Sequence, residues 1–253
     1  MIRITFLGTG TSHGVPVIGC SCPVCTSSDP RDNRYRSSII IEKDGTSIVI
    51  DTGYEFRLQC LRAGIKNLDG VLYTHDHSDH LMGLDDLRVF CRDKRLPVWS
   101  IESEMKSIEN RFSYAFSDMP GIGLPQLDAH YAEPYVPFRV GGIEAFAIPV
   151  MHGCKMIAGF RFGSFAYITD VSDIMLDRNA EYLKNLKVLV IGALREKPHA
   201  THYSFSEAID AAGKIGAEEV YFTHINHSAS HEYIERKYAG IAKPAYDGLV
   251  LEV

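Results

Sequence analysis

His75-Asp76-His77-Ser78-Asp79-His80 sets three imidazoles and two carboxylates within six residues, directly behind the apolar run Gly70-Val71-Leu72-Tyr73-Thr74. The chain holds 11 histidines in 253 residues, so three at these offsets arise by chance about 0.02 times per chain, and accident is a poor account of them. Residues two apart in an extended segment point the same way, which lets His75 and His77 present ring nitrogens to one point. Asp79 and His80, where the chain turns toward a helix expected over 81–91, face another. Two neighbouring metal ions follow rather than one. A solvated polar turn with a capping Asp is the plain alternative, and further donors elsewhere weigh against it.

Three later positions supply such donors. Phe165-Ala166-Tyr167-Ile168-Thr169 reads as a strand ending in Asp170, and Glu218-Glu219-Val220-Tyr221-Phe222-Thr223 as one ending in His224. Ala145-Phe146-Ala147-Ile148 leads through Pro149-Val150-Met151 to His152. Each alone is an ordinary turn former or hydrogen-bonded histidine. Together with the first cluster they make seven ligand-type residues at strand ends.

In type and order, His75-x-His77-x-Asp79-His80 followed by His152, Asp170 and His224 resembles the metallo-β-lactamase superfamily. Phe6-Leu7-Gly8-Thr9-Gly10 is similar to its N-terminal strand and turn, and Ile48-Val49-Ile50-Asp51-Thr52-Gly53 to its second hairpin. The resemblance implies an α/β fold, a four-layer αββα sandwich. It also implies a first ion on His75, His77 and His152, a second on Asp79, His80 and His224, and Asp170 bridging the two. Asp170 stands where the family's namesake hydrolases of β-lactams carry cysteine, which points to the phosphodiesterase, nuclease and lactonase branches.

Gly19-Cys20-Ser21-Cys22-Pro23-Val24-Cys25 gathers three thiols, which need a fourth donor to close a tetrahedral zinc. His227, three residues beyond His224, is the candidate. Cys20 and Cys22 are too close for an unstrained disulfide; reduced core cysteines or a redox pair are the alternatives to a structural zinc. This element behind a Gly-Thr-Gly start, with His-x-x-His near the end, resembles the phosphoribosyl cyclic phosphodiesterases of the carbon-phosphorus lyase pathway. Tyr246-Asp247-Gly248 and His202 match as well.

That resemblance implies ring opening of a small cyclic phosphate such as 5-phosphoribosyl 1,2-cyclic phosphate, by a hydroxide bridging two divalent ions, manganese or zinc. Asp79 would orient the nucleophile, and His202 would meet the phosphate or protonate the leaving oxygen. His202 is preferred to His199 because it precedes the helix-start signal Ser204-Phe205-Ser206-Glu207. The competing readings are a nuclease of the tRNA 3′-processing type, a lactone or thioester hydrolase, and a non-enzymatic zinc-stabilised scaffold.

Composition sets outer bounds. At 45% hydrophobic residues and mean hydropathy −0.06 the chain can bury a full core, and one domain over 1–253 is expected. No segment resembles a signal peptide or approaches the roughly 20 apolar residues of a membrane span. Six cysteines, half of them in the zinc-like cluster, suggest a reducing compartment and hence the cytoplasm. A net charge of −6 argues against a large nucleic-acid footprint. Small phosphorylated substrates stay compatible, because two divalent cations dominate the local field. Arg31-Asp32-Asn33-Arg34-Tyr35-Arg36 reads first as a solvated loop and second as a phosphate contact.

Patterning predicts strands near 2–6, 38–42, 47–51, 70–74, 97–100, 144–148, 157–162, 165–169, 188–191, 219–223 and 249–253. Helices are expected near 54–63, 81–91, 173–185 and 204–215. Residues 101–140, punctuated by Met119-Pro120-Gly121-Ile122-Gly123-Leu124-Pro125, read as an irregular insertion. Its aromatics Phe112, Tyr114, Phe116, Tyr131, Tyr135 and Phe138 suggest local packing first and a homodimer contact second.

Overall fold

A computed structural model describes residues 1–92, 94–117 and 123–253. In chain order the elements are β1 (Arg3–Gly8), β2 (Ser38–Lys43), β3 (Thr46–Ile50), α1 (Phe56–Ala63), β4 (Gly70–Leu72), α2 (Ser78–Leu81), β5 (Leu96–Ser100), α3 (Glu102–Arg111), α4 (Ser113–Phe116) and β6 (Leu127–Tyr131). There follow β7 (Pro137–Val140), β8 (Ile143–His152), β9 (Lys155–Phe162), β10 (Phe165–Ile168), α5 (Leu176–Asn179), β11 (Val188–Gly192), α6 (Phe205–Ile215), β12 (Glu219–Thr223), α7 (His231–Lys237), β13 (Lys243–Pro244) and β14 (Val250–Glu252). The strands form two seven-stranded sheets, ordered β14-β1-β2-β3-β4-β5-β6 and β13-β12-β11-β10-β9-β8-β7. In the first, β3 through β6 run parallel; in the second, β10 through β13 do.

Alternation along the strands shows why four layers form. Ile39 and Ile41 of β2, Ile48 and Ile50 of β3, Phe165 and Tyr167 of β10, and Val188 and Val190 of β11 share one core, in which the inner faces of both sheets meet. Their neighbours point the other way. Ile40, Val49 and Val71 join Phe56 of α1 and Met105 and Ile108 of α3 in an outer core. Ala166, Ile168, Leu189 and Ile191 join Phe205, Ala208 and Ala212 of α6 in the opposite one. A strand apolar on both faces must be covered on both, and a period of two distributes its side chains between the layers. Each fully buried Ile or Phe contributes about 1.5–3 kcal/mol. The fold is the αββα sandwich that the resemblance implied.

Helix α6 starts where its sequence says. Ser204 accepts from the Glu207 N–H, the Glu207 carboxylate accepts from the Ser204 N–H, and Gly216 closes the helix in the left-handed conformation. Two other expected helices are shorter than their patterns. Instead of a helix over 81–91, α2 stops at Leu81 and a 3-10 helix runs Leu84–Phe90. The Thr52 N–H takes the His80 carbonyl (2.7 Å) and the Gly83 N–H donates to the Thr52 carbonyl (2.8 Å), so these backbone groups serve the 52–53 turn rather than a continuing helix. Over 173–185 the structure has only α5 and a 3-10 helix, Ala180–Leu183. Residues 172 and 173 are instead tied to Met151, and the Asp173 carboxylate accepts from the Met175 N–H.

The stretch 101–140 is not irregular. It holds α3, α4, β6 and β7, the two strands being edges of the two sheets, while 118–122 lie outside the described residues. Edge strands with one wet face, such as Leu127–Tyr131, give weak alternation. The aromatics pack locally: Phe138 stacks on Trp99 at 4.6 Å, Tyr135 on Tyr182 at 4.4 Å, and the Tyr131 hydroxyl donates to Glu109 at 2.6 Å. Helix α7 also escaped the pattern reading, because at seven residues it buries only His231 and Ile234. Among the described residues no helix is long and apolar enough to cross a membrane.

Candidate metal centres

All seven expected donors converge where strands of both sheets end. His75, His77, Asp79 and His80 follow β4, His152 ends β8, Asp170 lies two residues past β10, and His224 immediately follows β12. Ligand atoms of His75, His77, His152 and Asp170 lie within 4.8 Å of one another, as do those of Asp79, His80, Asp170 and His224. Asp170 is common to both sets. His80 Nε2 lies 3.3 Å from Asp79 and 3.4 Å from Asp170, and His224 Nε2 lies 3.1 Å from Asp170.

The tautomers follow from the outward contacts. His80 Nδ1 donates to Asp51 Oδ2 (2.7 Å), His152 Nδ1 donates to the Thr201 carbonyl (2.6 Å), and His75 Nδ1 faces Thr74 Oγ1 (2.9 Å), whose proton goes to Asp51. Each leaves Nε2 facing the cluster. His75 Nε2, His80 Nε2 and both nitrogens of His224 are buried without a hydrogen-bond partner. Orphaned imidazole nitrogens beside carboxylates 3–4 Å away fit divalent cations, because burial without a partner is otherwise costly. Burial, reinforced by the neighbouring His80, holds the His75 pKa well below its ordinary value. Asp170, Asp79 and Asp51 outweigh burial at His80 and raise it.

The backbone is strained here. Asp51 (φ 62°), Asp170 (φ 51°) and His224 (φ 59°) are three of seven non-glycine residues in the left-handed region among the described residues. Such conformations cost on the order of 1–3 kcal/mol each and persist where surroundings over-determine them. Close packing enforces the turn around Asp79: a Cβ on Gly53 would lie 2.3 Å from the Asp79 carbonyl oxygen, and one on Gly83 2.3 Å from that of Gly53.

Asp51 is the site residue whose role the sequence did not disclose. It accepts from the Thr74 N–H, the Thr74 hydroxyl and His80, fixing the β4 exit. The available signal was that Asp51 ends its strand as Asp170 does. Asp76, counted in the first cluster, turns away from the metal donors toward Lys155 and Arg111.

His202 lies against the cluster, its ring 4.7 Å from that of His152 and stacked 4.9 Å from that of His224. It thus touches one residue of each donor set. Burial, then the neighbouring His224, lowers its pKa to about 3. His199, 5.1 Å behind it, is exposed.

Cys20, Cys22 and Cys25 Sγ each lie 3.4 Å from His227 Nδ1. A tetrahedral zinc with Zn–S about 2.3 Å and Zn–N about 2.0 Å spaces its S and N ligands by about 3.5 Å, which these four donors match. The Cys25 N–H leads the effects lowering Cys22 to about 6, while burial leads those pushing Cys25 up to about 11. All six cysteines are free of disulfides.

The basic stretch is not a solvated loop but is tied into the protein. Arg34 is buried, donating to Thr9 Oγ1 and the Ala245 carbonyl, Arg31 pairs with Asp29, and Arg36 pairs with Glu55. Asp247 accepts from Thr9 and the Tyr35 N–H, which makes the 246–248 segment a fastening of the C-terminal chain to the N-terminal loop.

The sequence profile of the Beta-lactamase superfamily domain matches residues 46–225. The chain belongs to the metallo-β-lactamase superfamily. Its structure superposes on the crystal structure of a new diphosphatase from the PhnP family with a TM-score of 0.92 and 41% identity, covering 100% of this chain and 97% of that one. An octanoyltransferase of Porphyromonas gingivalis is 40% identical over 98% of this chain and 51% of its own length. A ribonuclease Z of Clostridium acetobutylicum is 28% identical over 53% of this chain and 46% of its own. The aligned region thus spans about half the length of each of these curated relatives. The superfamily uses divalent metals, and the chain resembles the PhnP-family structure over its whole length.

Proposed function

We propose that the chain is a hydrolase, a phosphodiesterase with two divalent ions, manganese or zinc, in the strand-end cluster and a structural zinc on Cys20, Cys22, Cys25 and His227. Its substrate is a small phosphorylated molecule, first of all a cyclic ester such as 5-phosphoribosyl 1,2-cyclic phosphate. The observation that carries the reading is the paired donor sets sharing Asp170, with His202 lying across both.

His75, His77, His152 and Asp170 would hold one cation and Asp79, His80, Asp170 and His224 the other. Together the two would supply Lewis acidity and an acidified water. The Asp79 carboxylate accepts a hydrogen bond from the attacking water and orients it. With its pKa lowered to about 3, His202 is neutral at pH 7. A neutral imidazole donates a hydrogen bond to a phosphate oxygen, so its contribution is to hold the phosphate rather than to deliver a proton. Its stack on His224 fixes the ring plane.

The similarity to the PhnP-family diphosphatase supports phosphoanhydride or phosphodiester cleavage. The ribonuclease Z similarity keeps RNA as the second reading, and the net charge of −6 disfavours it. The test is phosphorus NMR of the cyclic phosphate, a nucleoside diphosphate and a short RNA, each with protein reconstituted in manganese and in zinc, and an Asp79→Ala control. Ring opening to one phosphomonoester product, absent in the control, supports the proposal. Turnover of RNA alone would replace it with the nuclease.

A further inference from the structure

The segment between His75 and His77 is gripped by helix α3. The Asp76 N–H donates to Glu104 Oε2 (3.0 Å), and the Asp76 carbonyl accepts from Arg111 Nη1 (2.7 Å). The Asp76 carboxylate takes Ser107 Oγ (2.5 Å) and Arg111 Nη2 (3.2 Å) on one oxygen and Lys155 Nζ on the other. Lys155 also reaches Glu104 Oε2 at 2.8 Å. Glu104, Ser107 and Arg111, at i, i+3 and i+7, share one face of α3.

Lys155 pairs in register with His152 across the β8–β9 hairpin. The network therefore joins the peptide between His75 and His77 to the hairpin that carries His152. Two anions and two cations balance, and every polar group of Asp76 has a partner. The second donor set is held by other partners: Asp51 accepts from His80 Nδ1, and the Thr52 N–H donates to the His80 carbonyl.

We infer that Glu104, Arg111 and Lys155 are positioning residues for the ion held by His75, His77 and His152, and that α3 sets this ion's affinity separately from that of its neighbour. Two imidazoles two residues apart meet one cation only if the peptide between them keeps its orientation. A half-turn there separates the rings. Here charged partners fix both peptides flanking Asp76, the first at its N–H through Glu104 and the second at its C=O through Arg111. Outer partners of this kind are worth about 10–100-fold in metal affinity.

The inference rests on the two-ion reading of the cluster, and calorimetric titration with Mn²⁺ of protein stripped of the cluster ions but keeping the zinc of the cysteine site separates the two. Unaltered protein should take up two ions in the cluster; fewer than two overturns the two-ion reading and this inference with it. With two present, Lys155→Met and Arg111→Met should each weaken one binding step about 10–100-fold and leave the other unchanged. Lys155→Arg should recover most of the loss, and Lys106→Met, on the exposed side of α3, should change neither step. Zinc retained by the Cys20-Cys22-Cys25-His227 site, with an unchanged melting temperature, reports that the fold is intact. Equal weakening of both steps, or of neither, in protein that keeps that zinc would overturn the inference.

Discussion

The two donor clusters of this chain are built in opposite ways. The His/Asp donors stand at the ends of buried strands, with His75 and His80 fully buried and held from behind by Thr74 and Asp51. The Cys20-Cys22-Cys25-His227 donors are half-buried in loops without strand or helix, supported by the Val17 and Cys25 N–H groups. In the first, the fold positions the donors before an ion arrives. In the second, the donors sit in loops, so on the proposed reading a bound zinc would hold them together and its binding would be folding energy. The clusters meet in one segment, where His224 serves the first and His227 the second.

The largest effect should come from the shared donor. Asp170→Ala removes a carboxylate common to both sets, and losing several kcal/mol of transition-state stabilisation lowers kcat by about a thousandfold, read with metal-saturated protein. Full turnover in that variant would break the pairing of the two sets. His202→Ala should follow, with kcat down about a hundredfold through loss of a hydrogen-bond donor to the phosphate, and metal content unchanged, because His202 touches the donors without being one. Metal loss in that variant would place it among the ligands.

Asp51→Ala sharpens the contrast between built and ion-held sites. It strips His80 and Thr74 of their acceptor, and should cost about 1–3 kcal/mol in denaturant unfolding and about 10–100-fold in metal affinity. Cys25→Ser, by contrast, should release only the structural ion and expose residues 17–29 to proteolysis. Its melting temperature should fall by about 2–4 °C per kcal/mol lost, with activity declining only as far as His224 shifts.

The smallest effect is a pH dependence. His231 accepts from buried Arg34 at Nδ1 (3.3 Å), and burial, then the Arg34 charge, lowers its pKa to about 4. Between about pH 6.5 and 4 the unfolded chain therefore binds a proton that the folded chain does not, so stability falls as pH falls. His231→Asn, which keeps an acceptor near Nδ1, should show a shallower decline of melting temperature over that range.

What could be read from the sequence followed the same division between buried and edge. Strands apolar on both faces, such as Ile39–Ile41 and Val188–Ile191, carry a dense signal, and the donors were visible because they end such strands. Helix α6 announced itself through Ser204 and Glu207. The edges did not: β6 and β7 each have a wet face, and α7 buries two residues. Helix 81–91 was over-read because its apolar pattern ignores where the His80 carbonyl goes, a matter settled by Thr52 some thirty residues away in sequence. Asp51 and the α3 network stayed hidden for the same reason, since their partners come together only in the fold.

Elemental analysis of the purified chain tests the central claim most directly. The account predicts three divalent ions per chain in the unaltered protein, falling toward one in Asp170→Ala, with zinc remaining on the cysteines. A single ion per chain in the unaltered protein, supplied with manganese and zinc in excess, would contradict it.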